Sequence, residues 1–600
     1  MSESLNTPVV LLVIVPLGGA AVALFEKVFP KLNLSRFVAL SCVLLGVVTL
    51  AFLYGSIGGG EEMRYVLGGW SEPYGITLYL DGLSWLGSVV IYAVALPVLL
   101  YSVGRRRYKP SFYFYFLVMI GAMEGVILSG DIFNIFVFFE ILALSSCVLV
   151  AYEKKPHSVV ASFKYLMISS LGISFFLIGI FIIYRLTGTL SVRDVGARLH
   201  LLCADGADPE VRIAGTIAVL CMVAGIGVRI AFVPFHFWLP EAHAFAPHPV
   251  SAMLSGVLIK VGFIVLWRLT KLFSVVDIGE YLVVSGAVTA ALGVCWALVQ
   301  TDAKRLLAFH SVSQMGYIIA VFGAGTMVSM TASFYHVVNH ALFKSLLFLS
   351  VGMVIVYSGK RDVFKLRGIG GELPLVAIPF AVGALSIAGV FPFNGYASKA
   401  LISYSLSRHW VYPLILFTGA GTVASFLKLA QVFIGSKVKN ESSFGPRGFE
   451  ERTSDVPKQT AKPSKGTKCP KLQYAALWFL AAACLITGIM PDYFGGHIAS
   501  LIGTSGVVGS PAGISNLYTG GGEDGFMLPD VFQLPMLLES LIPLAVGFLI
   551  YMGVMSGKGK VVAEMARERS IGLEGAMGFL LVGFLILSVY AVFYPLIWAV

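Results

Sequence analysis

About sixteen apolar stretches, many of them near 20 residues long, decide what this chain can be, because a helix of that length crosses a hydrocarbon core of about 30 Å. Segments such as Val38–Tyr54, Trp85–Leu100, Leu171–Ile183 and Met577–Tyr594 hold almost no ionisable side chain. Only 12% of the 600 residues are charged and 57% are hydrophobic, about half the charged fraction of a soluble domain. The fold class is therefore an all-α polytopic membrane protein embedded in a lipid bilayer. The spans are expected at 8–25, 36–57, 79–103, 111–129, 132–151, 159–186, 212–240 (broken), 250–272, 280–300, 304–325, 330–357, 373–402 (broken), 412–435, 472–490, 535–556 and 574–598. The opening MSESLNTPVVLLVIVPL lacks a basic n-region and a small-residue cleavage site, so it reads as a retained first helix.

The net charge of +10 raises the question of nucleic acid, but its distribution points to a membrane instead. Loops after odd-numbered spans hold Lys27, Lys31 and Arg36, then Arg105, Arg106, Arg107 and Lys109, then Lys154 and Lys155. The same parity continues through Lys304 and Arg305, Lys360 to Arg367, the basic stretch 437–471, and Lys558 to Arg569. Loops of the other parity are neutral or acidic, as at Glu61–Glu72, Asp205–Glu210 and Glu523–Asp530. This is the positive-inside pattern, and it puts both termini outside. The seven cysteines, Cys42, Cys147, Cys203, Cys221, Cys295, Cys469 and Cys484, contain no C-x-x-C pair. That spacing argues against iron–sulfur, zinc and disulfide frameworks, and no cofactor or metal is expected. There is likewise no G-x-S-x-G, H-E-x-x-H or phosphate-binding loop, so any redox centre would sit in another chain.

Ionisable residues inside the spans cost at least about 2.5–3.5 kcal/mol each on insertion scales, and so call for a partner, water or a function. Glu140 lies in DIFNIFVFFEILALSS with apolar residues on both sides; its alternative is a neutral carboxyl making a helix contact. Arg229 precedes a helix break in GIGVRIAFVPFHFWLPEAH and stays charged, which makes Glu140 its natural counter-ion, in a gate or in a purely structural pair. Lys260 sits about ten residues from either end of its span, where burial lets a lysine change protonation state. His336, His340 and Lys344 recur every four residues and form one stripe down a helix. Imidazole both gives and takes a proton near neutral pH; a metal site is the rival reading, with no third ligand evident. Lys399 follows a second break, in FPFNGYASKALI. Accessory candidates are His236, His243 and His248 around the first break, His310 in the span before the His336 stripe, and Lys428, which is either part of the route or a lysine snorkelling from a helix end. Asp131 and Asp302 begin helices and read as caps.

The two breaks, Phe232-Val233-Pro234-Phe235 and Phe391-Pro392-Phe393-Asn394-Gly395, lie five spans apart, each followed by a helix with a lone lysine, Lys260 and Lys428. Paired broken helices point to the transport route of a repeat-built transporter, whereas membrane helices also tolerate ordinary proline kinks.

The segments GDIFNIFVFFEILALSS, RIAFVPFHFWLPEAHAFAPHPVSAMLSGVLIKVG, TDAKRLLAFHSVSQMGYI, HVVNHALFKSLLFLSVG and FPFNGYASK, in this order, resemble the proton-pumping antiporter-like membrane subunits. That family spans large Mrp-type sodium/proton antiporter subunits, their relatives in complex I, and those of archaeal membrane-bound hydrogenase and sulfane-reductase complexes. The resemblance covers roughly residues 75–435 and is strongest to the Mrp-like branch. It implies two inverted five-helix repeats, each with a broken helix, in 111–272 and 280–435. The remaining parts would be N-terminal helices in 1–110, a cytoplasmic linker in 436–471, and a C-terminal transmembrane extension with an external loop in 472–600. It implies that Glu140, Lys260, His336, His340, Lys344 and Lys399 occupy the family's ion-pathway positions, and that Asp302 and Lys304 match its D-x-K element. Arg229 departs from the family's usual lysine: arginine keeps the charge pair and binds carboxylate firmly but does not readily cycle a proton.

The expected function is translocation of H⁺, alone or as Na⁺/H⁺ antiport, in a multisubunit Mrp-type antiporter or respiratory redox complex with other membrane subunits as partners. The alternatives are a structural subunit that has lost pumping and a stand-alone secondary transporter.

Overall fold

The computed structural model describes residues 2–70, 72, 75–104, 108–202, 208–270, 278–434, 471–504 and 528–556. Among these, 14 helices are long and apolar enough to cross a membrane. In chain order the helices are α1 (Ser2–Leu24), α2 (Leu34–Gly58), α3 (Gly82–Gly104), α4 (Pro110–Leu128), α5 (Ile132–Val150), α6 (Pro156–Thr187), α7 (Val192–Leu202), α8 (Pro209–Ile230) and α9 (Trp238–Phe245). They continue as α10 (His248–Leu269), α11 (Gly279–Val299), α12 (Ala303–Gly323), α13 (Met327–Ser358), α14 (Pro374–Ala388), α15 (Asn394–Leu406) and α16 (Tyr412–Ala430). The last three are α17 (Lys471–Ile489), α18 (Pro491–Thr504) and α19 (Leu534–Met555). Each described expected span has its helix, with the second broken span appearing as α14 and α15. The span at 574–598 and the linker after 435 lie outside the described residues.

Local chemistry sets the helix ends. Asp131 accepts from the Asn134 backbone N–H at 2.7 Å and Asp302 from those of Lys304 and Arg305 at 2.8 and 2.9 Å, so both are the N-caps their sequence positions suggested. Proline stands in the first turn of α4, α6, α8 and α14, where its missing N–H is harmless. Left-handed Gly188, Gly359 and Gly389 close α6, α13 and α14.

A hairpin and two helices were not foreseen. Met63–Val66 (β1) pairs antiparallel with Thr77–Leu80 (β2), in a stretch that reads as an acidic loop. The α7 segment buries Val192, Val195 and Leu199, which share one face at 3.6-residue periodicity. Residues 491–504, expected within an external loop, form α18, whose Ile498, Leu501 and Ile502 are buried. Neither helix is long enough to span, so each covers one end of the bundle.

The 32-residue α13 lies at the centre, buried almost continuously from Ser329 to Val354. Around it, helices approach through small residues, the usual basis of close packing in lipid. A Cβ on Gly316 would lie 2.3 Å from the Ala290 nitrogen, and one on Gly286 2.3 Å from the Ala320 nitrogen, so α11 and α12 touch backbone to backbone. Gly316→Val is therefore expected to lower thermal stability by about 1–3 kcal/mol or more through overpacking. Gly55→Val, where nothing lies within 4 Å, serves as the neutral control; melting of the solubilised complex checks both.

Candidate functional site

Both interrupted helices place polar backbone beside buried charges. Helix α8 ends at left-handed Ala231 (φ 61), and the chain resumes as α9 after Val233-Pro234. Helix α14 ends at Gly389 (φ 78) and resumes as α15 after Phe391-Pro392. Arg229 lies in the last turn of α8, 2% exposed. Its Nη2 donates to the Phe139 carbonyl at 3.1 Å, the guanidinium stands 5.2 Å from the Phe139 ring centroid, and Glu140 Oε1 is 3.6 Å away. The expected pair is present. Glu140, however, is not sealed inside: its side chain is 34% exposed, because α5 turns this position toward the flank of the bundle. Apolar neighbours in sequence report the span, not which side of it is covered by protein.

Lys260 lies two residues past a π-turn at Leu254–Leu258 in α10 and donates to the Ser255 carbonyl within it. At 1% exposure it is closed off by protein. The central stripe is equally buried: His336, His340 and Lys344 are each 0% exposed. His336 bridges two neighbours, with Nε2 3.0 Å from Gln314 Oε1 on α12 and Nδ1 2.9 Å from the Ser398 hydroxyl on α15. This set fits the tautomer that donates from Nε2 to the amide oxygen. His340 stacks on His336, centroids 6.1 Å apart and rings 4° from parallel, so the two imidazoles face one another instead of aiming nitrogens at a shared point. Neither ring nitrogen of His340 has a hydrogen-bond partner among the described residues. Lys344 donates to the Leu307 carbonyl at 2.6 Å and Lys399 to the Ile387 carbonyl at 2.6 Å. Lys260 on α10, Lys344 on α13 and Lys399 on α15 lie near enough for their charges to bear on His340, and Gln314 brings α12 to the same cluster through its bond to His336.

The accessory candidates divide. His236 stacks on Trp296 at 4.6 Å and His243 on Phe348 at 4.8 Å. His248 packs against Gly352, where a Cβ would meet its ring at 2.6 Å. His310 bonds through Nε2 to the Ser425 hydroxyl. Lys428 is 3% exposed and donates to the Leu298 carbonyl and, at 2.7 Å, to that of Gln300. It caps the C-terminus of α11 and does not snorkel. Lys428→Met is expected to destabilise the chain by about 1–3 kcal/mol through the carbonyls left bare, visible as a lowered melting temperature with ion movement retained at permissive temperature.

Sequence reasoning passed over several partners. Glu124 on α4 is 0% exposed and accepts from the Ser88 hydroxyl at 2.6 Å; a carboxylate inside an apolar run was signal enough to find it. Arg268, also passed over, donates to Ser84 Oγ at 2.6 Å; Lys304, singled out in the sequence as part of the D-x-K element, donates to the Ala246 carbonyl at 2.5 Å and ties α12 to the segment after the first break. Gln314 and Ser398 had no signal, since neutral polar residues are common in membrane helices.

A helical bundle with two interrupted helices around a buried histidine–lysine axis defines a class of membrane protein built for charge inside the bilayer. Residues 129–427 match the protein family described as NADH:quinone oxidoreductase/Mrp antiporter, transmembrane. Over 427 residues the chain is 33% identical to NADH-quinone oxidoreductase subunit N of Desulforudis audaxviator, covering 68% of this chain and 82% of that one. It is 30% identical over 488 residues to a probable K(+)/H(+) antiporter component of Rhizobium meliloti, covering 80% of this chain but 46% of that relative, about half its length. Its fold is similar to a chain of the membrane-bound sulfane sulfur reductase, an archaeal respiratory membrane complex, with a TM-score of 0.70, 25% identity, and coverage of 83% of this chain and 97% of that one. The chain belongs to the antiporter-like membrane subunits of the NADH:quinone oxidoreductase/Mrp antiporter family.

Proposed function

We propose that this chain translocates H⁺, with Na⁺/H⁺ exchange as one form of the coupling, as a membrane subunit of a multisubunit antiporter or respiratory complex. The observation that carries the reading is the polar axis of buried His336, His340 and Lys344 on α13 with half-buried Lys399 on α15, in which His336 bonds both Gln314 and Ser398 and stacks on His340. Each of these groups burdens insertion, a cost that a role in moving charge accounts for. Protons would enter near Lys260, pass along His336, His340 and Lys344, and leave by Lys399, with Glu140 and Arg229 acting electrostatically on the first step. Residues 111–272 and 280–435 would form two repeats of inverted topology around the two breaks. The alternating basic loops favour both termini outside.

Arg229 favours one second reading, a structural subunit without pumping, since arginine does not readily release a proton. Purified native complex in proteoliposomes distinguishes the two. A pH gradient driven by sodium or by the complex's own redox substrates is expected. A complex that contains this chain, turns over and moves no ion would leave the structural reading standing.

A further inference from the structure

The last described helix, α19, lies beyond the family-matched residues, yet it is built onto the second broken helix. The Tyr396 hydroxyl of α15 donates to the Val531 carbonyl at 2.5 Å, just before α19 begins. The rings of Phe391 and Phe532 meet edge to face at 5.7 Å. Further along, Gln431 donates to the Tyr551 hydroxyl, and a Cβ on Gly547 would lie 2.5 Å from the Ala420 carbonyl oxygen, so α16 and α19 touch at backbone distance. Fastened in this way, α19 closes one side of a cavity of about 280 Å³ whose lining includes Tyr317, Tyr396, Lys399, Ser403, Gln533 and Glu539. A water occupies about 30 Å³ of liquid, so the space takes several.

The cavity begins where the histidine axis ends. Ser398 bonds to His336; the next residue, Lys399, lines the cavity, its ammonium 5.2 Å from the Tyr317 ring centroid. Glu539 stands in LPMLLESLIPLAVGFLIYMGVM, the only acidic or basic residue of that helix. It is partly buried and makes no hydrogen bond or ion pair with another described residue, and its charge and that of Asp530 both act on Tyr396. A lone carboxylate in such a helix is unfavourable unless water or a cation reaches it. The titratable groups that face it are Lys399, Tyr396 and Tyr404 on α15, Tyr317 on α12 and, before α19, Asp530.

We propose that this cavity is a hydrated vestibule and that Glu539 is the carboxylate through which Lys399 exchanges protons with the aqueous phase. A proton leaving the Lys399 ammonium crosses vestibule water to a Glu539 carboxylate oxygen, leaving a neutral amine and a neutral acid. The acid then releases it to bulk water and regains its charge; the reverse sequence reloads the lysine. This rests on the ion-translocation reading above and adds a pathway residue from outside the family-matched region.

The test uses the whole complex in vesicles. Glu539→Gln is expected to slow ion translocation at least about tenfold, toward the lower side of general acid–base effects because water partly substitutes. Glu539→Asp, which restores the carboxylate, is expected to stay within about threefold of wild type. Ser403→Cys, compared with the unsubstituted complex, is expected to react with a charged, membrane-impermeant maleimide from one face. Wild-type rates in an assembled Glu539→Gln complex, with Lys399→Ala inactive, would overturn the vestibule and leave the ion-translocation reading intact. Wild-type rates in Lys399→Ala would overturn both. Should Glu539→Gln fail to assemble, an unreactive Ser403→Cys in an otherwise native chain would by itself overturn the vestibule.

Discussion

A complex carrying Lys260→Ala is expected to assemble and to lose at least about 100-fold of its ion translocation, the scale on which a positioned proton-transfer group acts. Lys260 is 1% exposed, and its ammonium rests on the Ser255 carbonyl, with no carboxylate in ion-pair contact among the described residues. Its charge acts on His243, His336 and His340, so its protonation state changes the field along the whole axis. Alanine also opens a void, and large-to-small changes in a core cost about 2–5 kcal/mol. Lys260→Met separates the two effects: it keeps the volume, removes a desolvated cation, and is expected to be at least as stable as wild type. Both variants are to be read in vesicles as the rate of pH-gradient formation, with the subunit composition of each complex checked by native mass spectrometry. A Lys260→Met complex that assembles fully and pumps at the wild-type rate would remove this lysine from the path.

The parts of the molecule legible in the sequence are those set by local length and polarity. A run such as Val38–Tyr54 becomes a helix like α2 in a membrane, since only helices and closed barrels satisfy the backbone there and the run lacks the alternation of a barrel strand. The interruptions at Val233-Pro234 and Phe391-Pro392 were suggested and not fixed by the sequence: proline has no N–H to donate, yet Pro97, Pro379 and Pro543 sit inside continuous helices. The hairpin of β1 and β2 was not: four-residue strands become visible only through their pairing, such as Met63 opposite Leu80. Side-chain environments fared differently. Lys428 stands near a helix end in the sequence, and only the packing of α11 against α16 shows that protein covers it. Glu140 and Glu124 look alike as carboxylates in apolar runs, yet one is 34% exposed and the other fully buried. Helical periodicity is silent here, because lipid and protein interior ask for the same apolar residues.

Glu140→Gln is expected to reduce translocation by about 10- to 100-fold, whereas Arg229→Lys is expected to remain within about threefold of wild type. The geometry gives the two partners different freedom. Arg229 is held at the Phe139 carbonyl and over the Phe139 ring, while its 3.6 Å distance to Glu140 is a charge contact too long for a hydrogen bond. The guanidinium is the fixed member, and Glu140, whose side chain is 34% exposed and makes no hydrogen bond to hold its carboxylate among the described residues, is the member able to swing away. A gate of this kind needs a permanent positive charge at 229 and a negative charge at 140, and does not need the residue at 229 to release a proton; lysine therefore substitutes and glutamine does not. Losing one member of a fully buried pair costs about 3–5 kcal/mol, but glutamine keeps the size of Glu140 and an oxygen toward Arg229, whose guanidinium also keeps the Phe139 carbonyl, so the stability effect is expected below that scale. The rate is thus expected to fall far more than the melting temperature. Measured together in vesicles and in thermal scans, a small loss of stability with a large loss of transport supports the gate. Undiminished transport in Glu140→Gln would make the pair structural, and would favour the reading in which arginine at 229 marks a subunit that no longer pumps.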